Sequence, residues 1–147
     1  MTLAEELRNL LAQAEGKWPT ATELRTYLEP RAKAIAVAGE KLEHPAWANS
    51  VSGRHDMFLT LDDDVTGIQL YDDSRGWGAY AVLAVANGTL DEVESIVGET
   101  SWVPRNPGGG GAHDTVAAYP KIDDRTVRVF VHHLARRVSR VIVHFET

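Results

Sequence analysis

"MFLTLDDDVTGIQLYDD", residues 57–73, is the stretch from which the fold can be read. Apolar side chains crowd positions 57–61, three aspartates interrupt at 62–64, and Val65, Ile68 and Leu70 resume as a returning strand. An apolar run, a polar turn and a second apolar run together make the signature of a β-hairpin. Near the other end, "RRVSRVIVHFE" at 136–146 spells the phrase again: charged run, Val, small hydroxyl residue, one further position, apolar strand. Val65 matches Val138, Thr66 matches Ser139, Ile68 matches Val141 and Leu70 matches Val143, at a constant offset of 73. One copy follows acids and the other follows bases. We expect two hairpins whose turns face solvent or different partners.

Helices are legible on either side of these strands. "MTLAEELRNLLAQAEG" places Leu3, Leu7, Leu10 and Leu11 on one face of an amphipathic helix that ends at Gly16. Thr20 stands three residues before Glu23, the spacing of a capping box, and opens a second helix with Leu24, Tyr27 and Leu28 as its stripe. Pro30 interrupts it, and the short apolar "AIAVA" beyond fits a helix or a strand. "EHPAWANSVSGRHD" reads as loop with a short strand around Trp47. "AYAVLAVANG" reads as a strand, although its alanines also suit a helix. Thr89 and Glu92 repeat the capping box, Val93, Ile96 and Val97 form a stripe, and Gly98 ends that helix. The two capped helices match position by position at an offset of 69. A loop "SWVPRNPGGGG", a short strand "TVAAYP" and a long hairpin "TVRVFVHHLARRVSRVIVHFE" follow, with its tight turn near 135–137.

A lone amphipathic helix and a lone two-stranded hairpin are each marginal, and each needs the other's apolar face. The order of the elements and the near-constant offset favour two tandem helix–hairpin units, 17–73 and 87–146, within one domain of residues 1–147. The expected fold is α+β: an antiparallel sheet with two or three helices packed on one face. "GTLDEVESIVGE", the Pro/Gly loop, "TVAAYP" and the hairpin ending "RVSRVIVHF" resemble the helix–loop–strands unit of two families. One is the small lipoprotein of outer-membrane β-barrel assembly. The other is the secreted β-lactamase-inhibitor protein, which is built from two such units in tandem. The likeness covers residues 87–146 and implies a sheet face used to bind another protein, with no catalytic residues to carry over.

Composition narrows the function classes. An apolar fraction of 44% and a charged fraction of 24% are those of a folded globular chain, large enough at 147 residues to bury a core without staples. There are no cysteines, which excludes disulfides, thiolate zinc sites and cysteine nucleophiles. Glu5 and Glu6 stand where a signal peptide would carry bases, so the chain is expected to be cytoplasmic. Residues 1–73 hold thirteen acids and seven bases, and residues 74–147 hold eight of each. Without a net basic face, neither nucleic acid nor an anionic membrane is an expected partner. A basic protein partner suits the acidic half.

Several residues invite chemistry. Asp62, Asp63 and Asp64 are consecutive, whereas a calcium loop needs its acids at alternating positions and a closing Glu, so a solvated turn is the reading. His132 and His133 point to opposite faces of a strand, and His144 pairs near Val127, well away from His132. No zinc site assembles from them without His113. "PGGGG" at 107–111 lacks the Lys-Ser/Thr of a phosphate loop and reads as a connector. Arg128, Arg136, Arg137 and Arg140 make a basic end to the last hairpin, of the kind that blunts a sheet edge. No cofactor is expected. The four tryptophans, Trp18, Trp47, Trp77 and Trp102, fall in predicted loops, where aromatics anchor a core edge or serve as interface hot spots. The leading expectation is a non-enzymatic protein-binding module, an inhibitor or immunity-type protein, using Asp62, Asp63, Asp64, Tyr71, Trp77, Tyr80 and Trp102. The alternatives are a small-molecule-binding domain or weak enzyme with a pocket between sheet and helices, lined by Trp77, Tyr80, His132 or His133, and a homodimer joined through the edge of the last hairpin.

Overall fold

A computed structural model describes residues 1–37, 57–73, 76, 78–103 and 114–146. Its helices are α1 (Leu3–Ala12), α2 (Ala21–Leu28) and α3 (Leu90–Val97), with a 3-10 turn at Glu29–Arg31. The strands are β1 (Ala34–Val37), β2 (Met57–Thr60), β3 (Val65–Asp72), β4 (Gly78–Val85), β5 (Ser101–Trp102), β6 (Asp114–Ala118), β7 (Lys121–Ile122), β8 (Arg125–Thr126), β9 (Arg128–Leu134) and β10 (Arg137–Glu146). The fold is α+β, as expected.

Each helix starts in the same way. Thr20 and Thr89 accept from the backbone N–H of Glu23 and Glu92, whose carboxylates reach back to the cap backbone. Thr2 and Glu5 close a third such box, which the same T-x-x-E spacing announces and which the sequence reading passed over. Pro30 falls in the 3-10 turn that finishes α2, and Gly98 ends α3 at a φ of 84°. "AIAVA" resolves as β1, and "AYAVLAVANG" as β4. The proposed loop at 43–56 with a strand at Trp47, together with Trp77, the glycine run and His113, lies outside the described residues.

Eight strands form one antiparallel sheet in the order β1-β2-β3-β4-β10-β9-β6-β5. That order is a repeated plan. A capped helix (α2, then α3) precedes a four-stranded meander (β1-β2-β3-β4, then β5-β6-β9-β10), and the last strands of the two meanders, β4 and β10, pair at the centre. Each unit is therefore a helix with four strands rather than a helix with two. The echoed phrase does not fall on equivalent strands, since β3 is third in its meander and β10 is fourth. Its cause is local. In β3 the pairing skips Thr66, between Val65 opposite Val85 and Gly67 opposite Ala84. In β10 it skips Ser139, between Val138 opposite His133 and Arg140 opposite His132. Both hydroxyls donate across the strand, Thr66 to the Ala84 carbonyl at 3.4 Å and Ser139 to the His132 carbonyl at 3.3 Å. The phrase is the trace of a bulge placed just after a turn, where an extra residue increases the local twist.

All three helices pack on one face. Leu3, Leu7 and Leu10 of α1, Leu24 and Leu28 of α2, and Leu90, Val93 and Val97 of α3 meet Ile68 and Leu70 (β3), Leu83 (β4), Val129 and Val131 (β9), and Val141, Val143 and Phe145 (β10). These side chains fill the space between the layers. The β7–β8 hairpin latches the α1–α2 connection: Asp123 accepts from the Gly16 N–H at 2.7 Å, and Arg125 donates to the Ala14 carbonyl while lying 4.4 Å over the Trp18 ring.

Both echoed turns lie at the surface, with Asp62 and residues 134–137 exposed, and their opposite charges also have an internal cause. Asp63 pairs with Arg31 at 3.6 Å and accepts from the Met1 ammonium at 2.9 Å. Arg31 in turn holds the buried Glu6 of α1 by two bonds of 2.6 and 2.8 Å. At the basic turn, Arg136 reaches Asp91 and Glu94 of α3, each at 2.6 Å. Acids clamp one turn to the N-terminal helix, and a base clamps the other to α3. The last hairpin has no edge to blunt, because β10 lies between β4 and β9, and β9 between β10 and β6. A dimer joined through that edge has nothing to join.

Candidate functional site

The strand register sorts the sheet's second face into rows. Phe58 (β2), Gln69 (β3), Val82 (β4), Ile142 (β10), Phe130 (β9) and Ala117 (β6) stand directly opposite one another across six strands. The next row, two residues along, reads Tyr71, Tyr80, His144, Arg128. Among the described residues no helix packs on this face. Even so the face is not bare: Phe58 is 1% exposed and Val82 is 6% exposed, and with Ala84 they form a small second core, flanked by Tyr71 and Ile142. Gly67 belongs to this core. A Cβ there would fall 2.9 Å from Phe58 Cε1 and nearer still to Cζ, so the glycine exists to let the ring lie across the strand.

Tyr71, Tyr80 and His144 form a stacked ladder of three rings. Tyr71 and Tyr80 lie 4.8 Å apart at 10°, and Tyr80 and His144 lie 3.9 Å apart at 9°. Directly opposed side chains of neighbouring strands sit about 5 Å apart, so cross-strand register alone brings three flat rings into contact. The tyrosines are half-buried and His144 is buried. Burial, then the neighbouring Tyr80 and Asp73, push the Tyr71 phenol above its ordinary pKa. Beside the ladder, Arg128 pairs with Glu146 at 2.7 Å. Further along the same face Arg140 is half-buried, and burial lowers its pKa.

The structure scatters the residues singled out in the sequence over three places. Asp62, Asp63 and Asp64 form the β2–β3 turn at one end of the sheet; Lys33 lies 3.8 Å from Asp62, and the Asp64 carbonyl accepts from Ala86 and Asn87. Tyr71 and Tyr80 lie side by side at the opposite end of β3 and its neighbour β4. Trp102 sits on the edge strand β5 rather than in a loop, opposite Val116 and hence on the helix side, and is 59% exposed. Five strand steps separate β5 from β3, a span of about 24 Å. Trp18 anchors the core edge as a loop tryptophan should, 6.3 Å from the Phe145 ring. Trp77 lies outside the described residues.

His144 is the member of the ladder that sequence reasoning missed. Its pairing with Arg128, one residue from the expected Val127, was legible, but the partner on its other side was not. Nothing in the sequence announces that β4 and β10 are neighbours. His132 and Tyr80 face away from the helices while His133 faces them, where its Nδ1 accepts from the Arg136 N–H at 3.2 Å. Of the described residues proposed to line a pocket between sheet and helices, His133 alone therefore faces the helices. Among the described residues no three His, Asp or Glu side chains are grouped to hold a metal ion. No protein-family model, curated protein or solved structure matches the chain.

Proposed function

We propose that this chain is a non-enzymatic protein-binding module that meets its partner with the helix-free face of the sheet, at the end marked by Tyr71 and Tyr80. The observation that carries the reading is the stacked ladder: cross-strand register holds the half-buried Tyr71 and Tyr80 rings in a fixed orientation, so a partner meeting their exposed parts would order them at little cost in conformational entropy. The interior supports the same reading, because the layer between sheet and helices is occupied by fully buried leucines and valines. The resemblance to tandem inhibitor proteins belongs to this proposal, and the twofold helix-plus-meander plan is in keeping with it. In its finer form the module is a cytoplasmic inhibitor or immunity-type protein whose partner is basic, which the acid excess of residues 1–73 supports. Among the described residues no helix is long and apolar enough to cross a membrane.

The test is affinity capture from native lysate with the wild-type chain and with a Tyr71→Ala/Tyr80→Ala double variant shown to be folded. A stoichiometric protein retained by the first and lost by the second supports the proposal. A tightly held small molecule in native mass spectra, with no protein partner, overturns it in favour of a ligand-binding domain.

A further inference from the structure

We draw no further inference here: the strongest candidate, the cleft of roughly 230 Å³ between the start of α2 and the β3–β4 turn, lined by Trp18, Thr20, Asp72, Asp73 and Gly78, carries nothing because Asp72 already accepts from the Ala21 N–H at 3.0 Å and no second observation there points to a ligand.

Discussion

Among the described residues four non-glycines, Asp123, Asp124, Ala135 and Arg136, carry positive φ, and the alanine can be tested singly. Ala135 and Arg136 form the β9–β10 turn with φ of 49° and 67°, the left-handed pair that two-residue hairpins need and that Asn-Gly usually supplies. An alanine there has a Cβ pressed against the backbone, at a cost of about 1–2 kcal/mol, and glycine escapes it. Ala135→Gly is expected to raise stability by about 1 kcal/mol once the glycine's extra freedom in the unfolded chain is set against that gain, measured as a higher urea midpoint at unchanged m-value. Gly67 presents the reverse case. Gly67→Ala drives a methyl into the Phe58 ring, which is 1% exposed and has nowhere to retreat. Overpacking of this kind costs about 1–3 kcal/mol. Phe58→Leu in the Gly67→Ala background is expected to recover part of the loss, and a strictly additive double variant would show that the ring is not the cause. Neither constraint is legible in the sequence: a glycine in a strand says that something approaches closely, never what.

At the scale of elements, the two charged turns act as clamps on helices, and they differ in burial. Glu6 is 1% exposed and meets the Arg31 guanidinium through two bonds, so removing one partner strands a charge or a polar group in the interior. Glu6→Gln is expected to cost about 3 kcal/mol, whereas replacing both residues with apolar side chains of similar volume costs far less. Thermal melts of the three chains check this. The clamp on α3 is more exposed and should be read through pH. The Arg136 guanidinium, bonded to Glu94, holds that carboxyl below its ordinary pKa, and Thr100 adds to the effect. A carboxylate depressed in the folded state contributes stability that is complete above its unfolded pKa of about 4.3 and lost as pH falls through the lower folded value. Urea midpoints for the wild type should therefore drop below about pH 4, and Arg136→Met should show a shallower acid-side drop and a smaller difference from wild type at pH 3 than at pH 6. The helices themselves were legible because T-x-x-E spacing and apolar stripes are local signals. These clamps were not, because Asp63 and Arg31, or Arg136 and Glu94, are brought together only by the packing of helix on sheet.

At the scale of the molecule, the sequence suggested two helix–hairpin units, whereas in the sheet each of α2 and α3 precedes four strands. Val65–Thr66 and Val138–Ser139 look alike because both build a bulge after a turn, and a bulge belongs to whichever strand must twist there. The true correspondence runs through the whole meander, in which β4 and β10 are last and adjacent, and no residue type marks that adjacency. The seam has an energetic consequence. Seven register pairs from Arg140 opposite Ala84 to Glu146 opposite Gly78 join the halves, and the core face of that seam is Ala79, Ala81, Leu83, Val141, Val143 and Phe145. The first helix reinforces it, since α1 lies against α3 of the second unit, and Leu3 packs where a Cβ on Gly88 would stand. Either half alone would expose one long apolar strand edge and one uncovered helix face, and a four-stranded sheet with two short helices (1–86) or one (87–147) is small enough to be marginal. Fragments 1–86 and 87–147 should each lack dispersed amide resonances when expressed separately, yet associate into a one-to-one native-like complex when coexpressed. Separate folding of either fragment, with two resolved unfolding transitions in the intact chain, would show the units to be independent and would divide the surface carrying Tyr71, Tyr80 and His144 between two domains. A single transition would instead tie the three-ring ladder, assembled from β3 and β4 of one unit and β10 of the other, to the integrity of the entire sheet.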